Sequence, residues 1–396
     1  MVRRVERGRA ARVPPVDGAR PLRILHVVEA YGGGLLRMVV ELTEGDVATG
    51  HEALIAYGVR PETPADPRAG LDARVGLHPM PWTSRGPRQQ AAAARELRRL
   101  VGAWRPDVVH LHSSFSGVLG VLVVPRAIPT VFSPHAFASV LPEGGAARRA
   151  AYRALETFVC RGVTLVGSQS DVEADLARKR GARAVESIHN GIRELDPEAL
   201  RTRSHEQPEG RAEVVATGRT VPQRGVEPAA RILARVREVA DVAWLGGGGG
   251  SRGVAGAQAL AAAGIERTGW LPREEVLDRV GRAAAYLHWT AWDTTPISVL
   301  EAMALDVPVV ASDIPPNREV LGPTGVCATE DEAVALLRRL ATDPGERLRL
   351  LEAQRARRTA YAARRMVRRW HEVYARLTGS AAATGGVPSA GAIAGA

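Results

Sequence analysis

The stretch Trp292-Asp293-Thr294-Thr295-Pro296-Ile297-Ser298-Val299-Leu300-Glu301-Ala302-Met303-Ala304 sets carboxylates on either side of a helix start. Thr295 is of a type that caps helices, and Pro296 suits the first helical position, where a missing N–H costs nothing. On that reading the amides of Ile297 and Ser298 point outward at the positive end of the helix dipole, which favours a phosphate. Glu301 lies further down the helix, roughly 9 Å along the axis at about 1.5 Å per residue. One carboxylate precedes the anion site and the other lies well beyond it. A ligand with a sugar, a diphosphate and a ribose in a row fits that spacing.

Outward from this segment, short apolar runs alternate with longer helical patterns, the rhythm of βα units in a parallel sheet. The strand candidates of the first half are 23–28, 52–57, 74–79, 107–112, 130–133, 164–167 and 185–189. Helical patterns between them cover 36–47, 89–104, 146–160 and 171–179. From residue 196 to 211 the chain is polar and aperiodic, as a linker would be. The rhythm then restarts with strands at 214–217, 242–245, 266–268, 285–288, 307–311 and 325–327. Helical patterns follow at 225–239, 273–281, 296–305 and 331–341, and a last, long and basic one runs from 345 to 376.

A chain of 396 residues is too long for one ordinary core, so two domains are expected. Cys160 and Cys327 are the only cysteines, which excludes a disulfide framework and a cysteine metal site. The default compartment is the reducing cytoplasm. All of the 53 basic residues but Lys179 are arginine, a bias that points to a GC-rich bacterial genome. The net charge of +10 does not read as nucleic-acid binding, because aromatic content is 4% and the arginines are spread along helices. A basic face toward anionic lipid headgroups or a phosphorylated acceptor, peripheral to the inner face of a membrane, fits as well as a merely solvated surface. No apolar run has the roughly 18 to 20 residues of a membrane helix; the run at 118–124 stops at Pro125. Residues 1–20 form a basic arm without a signal-peptide core, and 379–396 an uncharged Gly/Ala/Ser tail; both are expected to be disordered.

Several separated motifs carry chemistry. After the first strand, Tyr31-Gly32-Gly33-Gly34-Leu35-Leu36 is a glycine turn opening a helix, where backbone can approach a ligand closely. It lacks the further glycine of a dinucleotide fingerprint. Arg219-Thr220-Val221-Pro222-Gln223-Arg224-Gly225 follows the first strand of the second half, and Gly246 to Gly250 reads as a flexible loop after another strand. Thr268-Gly269-Trp270-Leu271-Pro272, Ser133-Pro134-His135-Ala136-Phe137 and Asn190-Gly191-Ile192 complete the set. His110 and His112 share one strand face and His135 ends the next strand, but no carboxylate or cysteine joins them at a metal-binding spacing. No metal or other cofactor is expected.

These motifs resemble the family 4 retaining glycosyltransferases (glycosyl transferases group 1), which have the GT-B fold. The family's acidic residue, seven intervening residues and Glu in a Leu-Glu-Ala-Met-Ala helix stand here as Asp293 to Glu301. Asp293 replaces the more usual Glu, Arg224 stands where the family has Lys, and Ala136 follows His135 where Gly or Asp is common. The resemblance implies an α/β protein of two facing Rossmann-like domains with parallel sheets and a C-terminal crossover helix. Its domains would be residues 21–195 on the acceptor side and 212–360 holding the nucleotide sugar, with 361–378 crossing back. It further implies that Arg219, Arg224 and the amides of Ile297 and Ser298 take the diphosphate. Glu301 would take the ribose, Trp270 and Leu271 the base, and Asp293 with His135 the donor sugar. Gly32, Gly33 and Gly34 would form the acceptor-side loop.

The activity implied is metal-independent, retaining transfer from a nucleotide sugar to a hydroxyl acceptor, with UDP-sugar ahead of GDP-sugar. The acceptor could be a saccharide, a lipid-linked saccharide or a small molecule, as in cell-surface polysaccharide or natural-product synthesis. Two alternatives stay open at this level. A nucleotide-sugar epimerase of the same fold would need acid/base groups at the sugar and no acceptor. A weakly catalytic nucleotide-binding subunit would bind nucleotide without turnover.

Overall fold

The computed structural model describes residues 20–61, 63–140, 145–193 and 211–380. Residues 1–19 of the basic arm, 196–210 of the linker and 381–396 of the tail lie outside the described residues. Two all-parallel sheets organise the rest. The first holds β1 (Arg23–Val28), β2 (Glu52–Gly58), β3 (Gly76–Met80), β4 (Val108–His112), β5 (Thr130–Ser133), β6 (Leu165–Ser168) and β7 (Val185–Ser187). Their spatial order is β3-β2-β1-β4-β5-β6-β7. The second holds β8 (Glu213–Thr217), β9 (Asp241–Leu245), β10 (Glu266–Arg267), β11 (Ala285–His288), β12 (Val309–Ser312) and β13 (Val326–Cys327), in the order β10-β9-β8-β11-β12-β13.

Both faces of each sheet are buried, so the central strands are nearly continuous apolar runs, as parallel sheets require. Ile24 and Val28 of β1 face one core; Leu25 and Val27 face the other. In the second sheet Val214 and Ala216 face the helices Val226–Val236 and Glu330–Thr342, while Val215 faces Ile297–Ala304. Each sheet reverses its strand order once, between β1 and β4 and between β8 and β11. In open α/β sheets ligands bind beyond the carboxyl ends of the strands at such a reversal. The glycine turn follows β1, the Arg219–Arg224 segment follows β8, and the Asp293 loop follows β11.

Three described helices escape the sequence reading: Ser114–Val123, Val254–Ala262 and Pro315–Leu321. The first carries glycines and β-branched residues, poor helix formers. Its glycines are packing choices: a Cβ at Gly120 would sit 2.2 Å from Leu111 and one at Gly117 2.6 Å from Val159. Tertiary packing overrides propensity there. The second is so rich in alanine that no apolar stripe marks it.

The long C-terminal pattern is not one helix. It is Pro344–Arg358, a 3-10 turn at Thr359–Tyr361, and Ala363–Thr378. The break occurs where the end of the first half comes alongside. The Ile192 N–H donates to the Tyr361 carbonyl and the Ala363 N–H to the Ile192 carbonyl, each at 2.9 Å. Gly191 makes this approach possible, because a Cβ there would lie 2.6 Å from the Ala363 Cα. The final helix then packs Met366, Val367, Trp370, Val373 and Tyr374 into the core of the first sheet. No described helix is long and apolar enough to cross a membrane.

Candidate active site

The loop after β11 is built before the helix it feeds. Thr290 Oγ1 donates to the Gln223 carbonyl at 2.7 Å, and Ser312 Oγ donates to the Thr290 carbonyl at 2.7 Å. Asp293 is thereby set against the segment after β8, where its Oδ2 accepts from Arg224 Nη1 at 3.0 Å. Burial pushes the neighbouring His288 imidazole down to about 4, so it is neutral at physiological pH. Arg219 is exposed on the same segment.

Thr295 is not the helix cap that its residue type suggests. Its hydroxyl donates to the Gln169 carbonyl of the first domain at 3.0 Å, and Pro296 occupies the cap position without a side-chain bond. A partner across the domains is available to the threonine, and it takes that partner. The amides of Val299 and Leu300 close on the Pro296 carbonyl at 3.0 and 3.2 Å, while no side chain caps the helix ahead of them. The Ile297–Ser298 end therefore keeps the open amides and dipole of an anion site.

One turn on, Glu301 Oε1 accepts from Arg273 Nε and Nη2 at 3.1 and 2.5 Å. The sequence reading assigned Glu301 to a ligand and missed Arg273, whose only local signal is its place at the start of a helix after Pro272. Opposite stands the glycine turn: a Cβ on Gly34 would lie 3.6 Å from Ile297 Cγ1. The helix that this turn opens, Gly33–Ala48, carries Arg37, also missed. Burial pushes the Arg37 guanidinium down, Arg273 adds to this, and Glu301 opposes it. Cations from both domains thus converge on the same space.

At the far end Trp270 is 80% exposed, the most exposed large apolar side chain of those described. It stands beside the glycine run, where a Cβ on Gly248 would lie 3.6 Å from the indole nitrogen. Leu271 is partly buried next to it. The run is tied down rather than loose: Thr220 Oγ1 donates to the Gly248 and Gly253 carbonyls at 2.8 and 2.9 Å, and the Gly246 N–H to Thr268 Oγ1 at 3.1 Å. Gly246, Gly248, Gly249 and Gly250 all have positive φ, a conformation that favours glycine at these four positions of the run.

On the first domain His135 and Ala136 both have positive φ, at 52° and 100°. A buried carboxylate holds this strained turn. Glu173 accepts from the Ala136 N–H at 3.0 Å and from the Gln169 N–H at 2.8 Å. Burial raises the Glu173 carboxyl to about 7, against the pull of those two amides. Burial likewise pushes His135 down to about 3.

His110 and His112 do not join His135 in a metal cluster. Among the described residues the three histidines with ligand atoms within 4.8 Å of one another are His26, His110 and His112, all buried. Register is the reason: His26 pairs with His110 across β1 and β4, and His112 follows on the same face. Their ring nitrogens bond instead to Asp46, Tyr374, Ser133, His135 and each other.

Known proteins agree with this architecture. Residues 33–191 match the glycosyl transferase 4-like domain and residues 211–343 match glycosyl transferases group 1. The chain belongs to the group 1 glycosyltransferases. Among solved structures, this glycosyltransferase is similar to sucrose-phosphate synthase from Thermosynechococcus elongatus, with 15% identity and a TM-score of 0.77 over 91% of this chain and 100% of that one. It is also similar to HepE of Anabaena in complex with UDP and glucose, with 16% identity and a TM-score of 0.73 over 90% and 100%. A third likeness is the trehalose-6-phosphate protein of E. coli bound with UDP-2-fluoro glucose, with 11% identity and a TM-score of 0.66 over 89% and 98%. At these identities the likeness is one of fold, which is GT-B. No curated protein matches the sequence.

Proposed function

We propose that the glycosyltransferase moves a sugar from a UDP-sugar to a hydroxyl acceptor with retention of configuration and without a metal ion. The observation that carries this reading is the convergence of Arg224, Arg273 and Arg37 with the open N-terminus of the Ile297–Ala304 helix in one cleft. A leaving diphosphate gains negative charge as the glycosidic bond breaks, and prepositioned cations and amides stabilise it. In this role Arg219, Arg224 and the amides of Ile297 and Ser298 take the diphosphate. Glu301, oriented by Arg273, takes the ribose, and Trp270 with Leu271 takes the base. Asp293 and His135 meet the donor sugar, and the Gly32–Gly33–Gly34 turn borders the acceptor.

His135 is neutral, so it is an orienting and hydrogen-bonding group rather than an acid. A nearby group that could take the acceptor proton is the departing diphosphate, which supports attack from the face it leaves. The UDP complexes of HepE and of the E. coli protein support the choice of base. A saccharide or lipid-linked saccharide acceptor of cell-surface polysaccharide synthesis, met by the basic surface at the inner membrane face, completes the reading.

A panel of nucleotide sugars with and without candidate acceptors tests it. The expected result is UDP release that depends on acceptor, persists in EDTA and gives product of the donor's anomeric configuration. Interconversion of the donor sugar without acceptor would identify an epimerase instead. Complete loss on chelation, restored by one metal, would overturn the metal-independent step.

A further inference from the structure

Glu173 lies on the helix Asp171–Lys179, which starts shortly after β6 with Ser170 as its cap. Ser170 Oγ accepts from the Glu173 N–H at 3.2 Å. In a capping box the glutamate would return to the N–H of the cap residue itself. Glu173 instead reaches one residue further back, where its Oε2 accepts from the Gln169 N–H at 2.8 Å. Its Oε1 crosses to the loop after β5, the neighbouring strand, and accepts from the Ala136 N–H at 3.0 Å. One carboxyl, 2% exposed, therefore joins the loops that follow two adjacent strands.

Both loops lead to the cleft. In the first, Ala136 has a φ of 100° next to His135 at 52°. Glycine takes such backbone freely, and other residues hold it only where the surroundings impose it. In the second, the Gln169 carbonyl accepts the Thr295 hydroxyl at 3.0 Å, two residues ahead of the Ile297–Ala304 helix. The seam between the domains continues from there: the Asp171 N–H donates to the Glu319 carboxylate at 3.2 and 3.3 Å. The turn that carries His135 and the seat of the Ile297–Ala304 helix are thus fastened to the same side chain.

We propose that Glu173 is a positioning residue for sugar transfer, which sets the spacing between His135 and the amides of Ile297 and Ser298 by accepting from Ala136 and Gln169 at once. This rests on the reading above, in which His135 meets the donor sugar and those amides meet the diphosphate. The bond broken in transfer lies between these two groups, so an error in their spacing falls on the reaction step. UDP alone is held by the second domain and does not sense it. Both carboxyl oxygens are needed as acceptors. A glutamine offers one oxygen and one NH2 group, and an NH2 group cannot receive an N–H. Whichever way that amide turns, one of the two loops is released.

Glu173→Gln is the direct test, assayed at about pH 8.5, where the wild-type carboxyl is ionised and both oxygens accept. Expected is a fall of about tenfold or more in kcat, with UDP affinity by calorimetry within about twofold of wild type. Thr295→Val breaks the next bond of the same path and should lower kcat by about threefold or more at unchanged UDP affinity. Thr295→Ser, which keeps the hydroxyl, should recover most of that loss. The double variant Glu173→Gln/Thr295→Val should be about as slow as Glu173→Gln alone, because contacts in one network do not add. Wild-type turnover in Glu173→Gln, a loss of UDP affinity as large as the loss of kcat, or multiplying losses in the double variant would overturn the positioning role and leave the functional reading standing. A wild type that neither binds UDP nor transfers a sugar would overturn both. Should Glu173→Gln not fold, the Thr295 variants and hydrogen exchange of the wild type decide. The Ala136 and Gln169 amides should be protected, and rapid exchange at either one contradicts the proposal.

Discussion

Arg224 and Asp293 come from segments 69 residues apart and meet at 3.0 Å. The pair ties the loop after β8 to the loop after β11, so the cation and the carboxylate act as a unit. Arg224→Ala removes a stabilising charge from the leaving group, and turnover should fall about a hundredfold or more in a protein that stays folded. Asp293→Asn releases Arg224 from its counter-charge. Turnover should fall while UDP affinity stays level or tightens, as measured by calorimetry beside steady-state kinetics. A tenfold loss of UDP affinity in Asp293→Asn would show that the carboxylate serves the nucleotide, not the sugar.

Glu301→Gln should behave in the opposite sense. The amide cannot hold the Arg273 guanidinium as the carboxylate does, and it accepts ribose hydroxyls less strongly. A hydrogen bond to a charged group contributes roughly 1.5 to 3 kcal/mol. UDP and UDP-sugar should weaken together by about tenfold or more. Unchanged UDP titrations would remove the ribose assignment.

Trp270 has little to lose structurally, being 80% exposed. Aromatic stacking on a base contributes about 1 to 3 kcal/mol. Trp270→Ala should therefore leave the melting temperature unchanged and weaken UDP between about fivefold and a hundredfold. Equal binding of UDP by variant and wild type would place the base elsewhere.

Glu173 makes stability depend on pH. Its folded-state value of about 7 lies above the value of about 4.3 for an unfolded glutamate. The folded protein thus holds the proton more tightly, and the associated stability is full below the unfolded value and lost as pH rises through the folded one. Between about pH 4.5 and 7 the melting temperature of the wild type should fall relative to Glu173→Gln, which cannot titrate. Parallel curves for the two proteins would show that the group ionises normally.

Much of the fold was legible because its signals are local. β1, β5 and β11 begin and end at the residues read from the sequence, because their apolar centres, Ile24-Leu25, Val131-Phe132 and Tyr286-Leu287, are buried on both faces of the sheet. The Ser114–Val123 helix was not, because its glycines are explained only by Leu111 and Val159, which come from other elements. Thr295 shows the same limit at the site. Its residue type predicts a cap, and only the arrival of Gln169, 126 residues earlier in the chain, makes its hydroxyl an interdomain contact.

What the sequence by itself determined is the order of the strands and the segments that follow them: the glycine turn, Arg219 to Arg224, Trp270, and Asp293 to Glu301. These follow from periodicity, turn chemistry and the placing of charge at a helix start. Which side chains neutralise one another was decided only in three dimensions. Arg224 meets Asp293, Arg273 meets Glu301, and Arg37 approaches both Arg273 and Glu301 from the other domain. The histidine series is the clearest case: Asp46, His26, His112 and His135 lie on a helix, two strands and a loop. Parallel register alone brings His26 beside His110 and His112, and the buried Asp46 carboxyl meets the His26 ring at 3.0 Å. Such pairings depend on distance and desolvation, which belong to the packed chain and leave no periodic trace in the sequence.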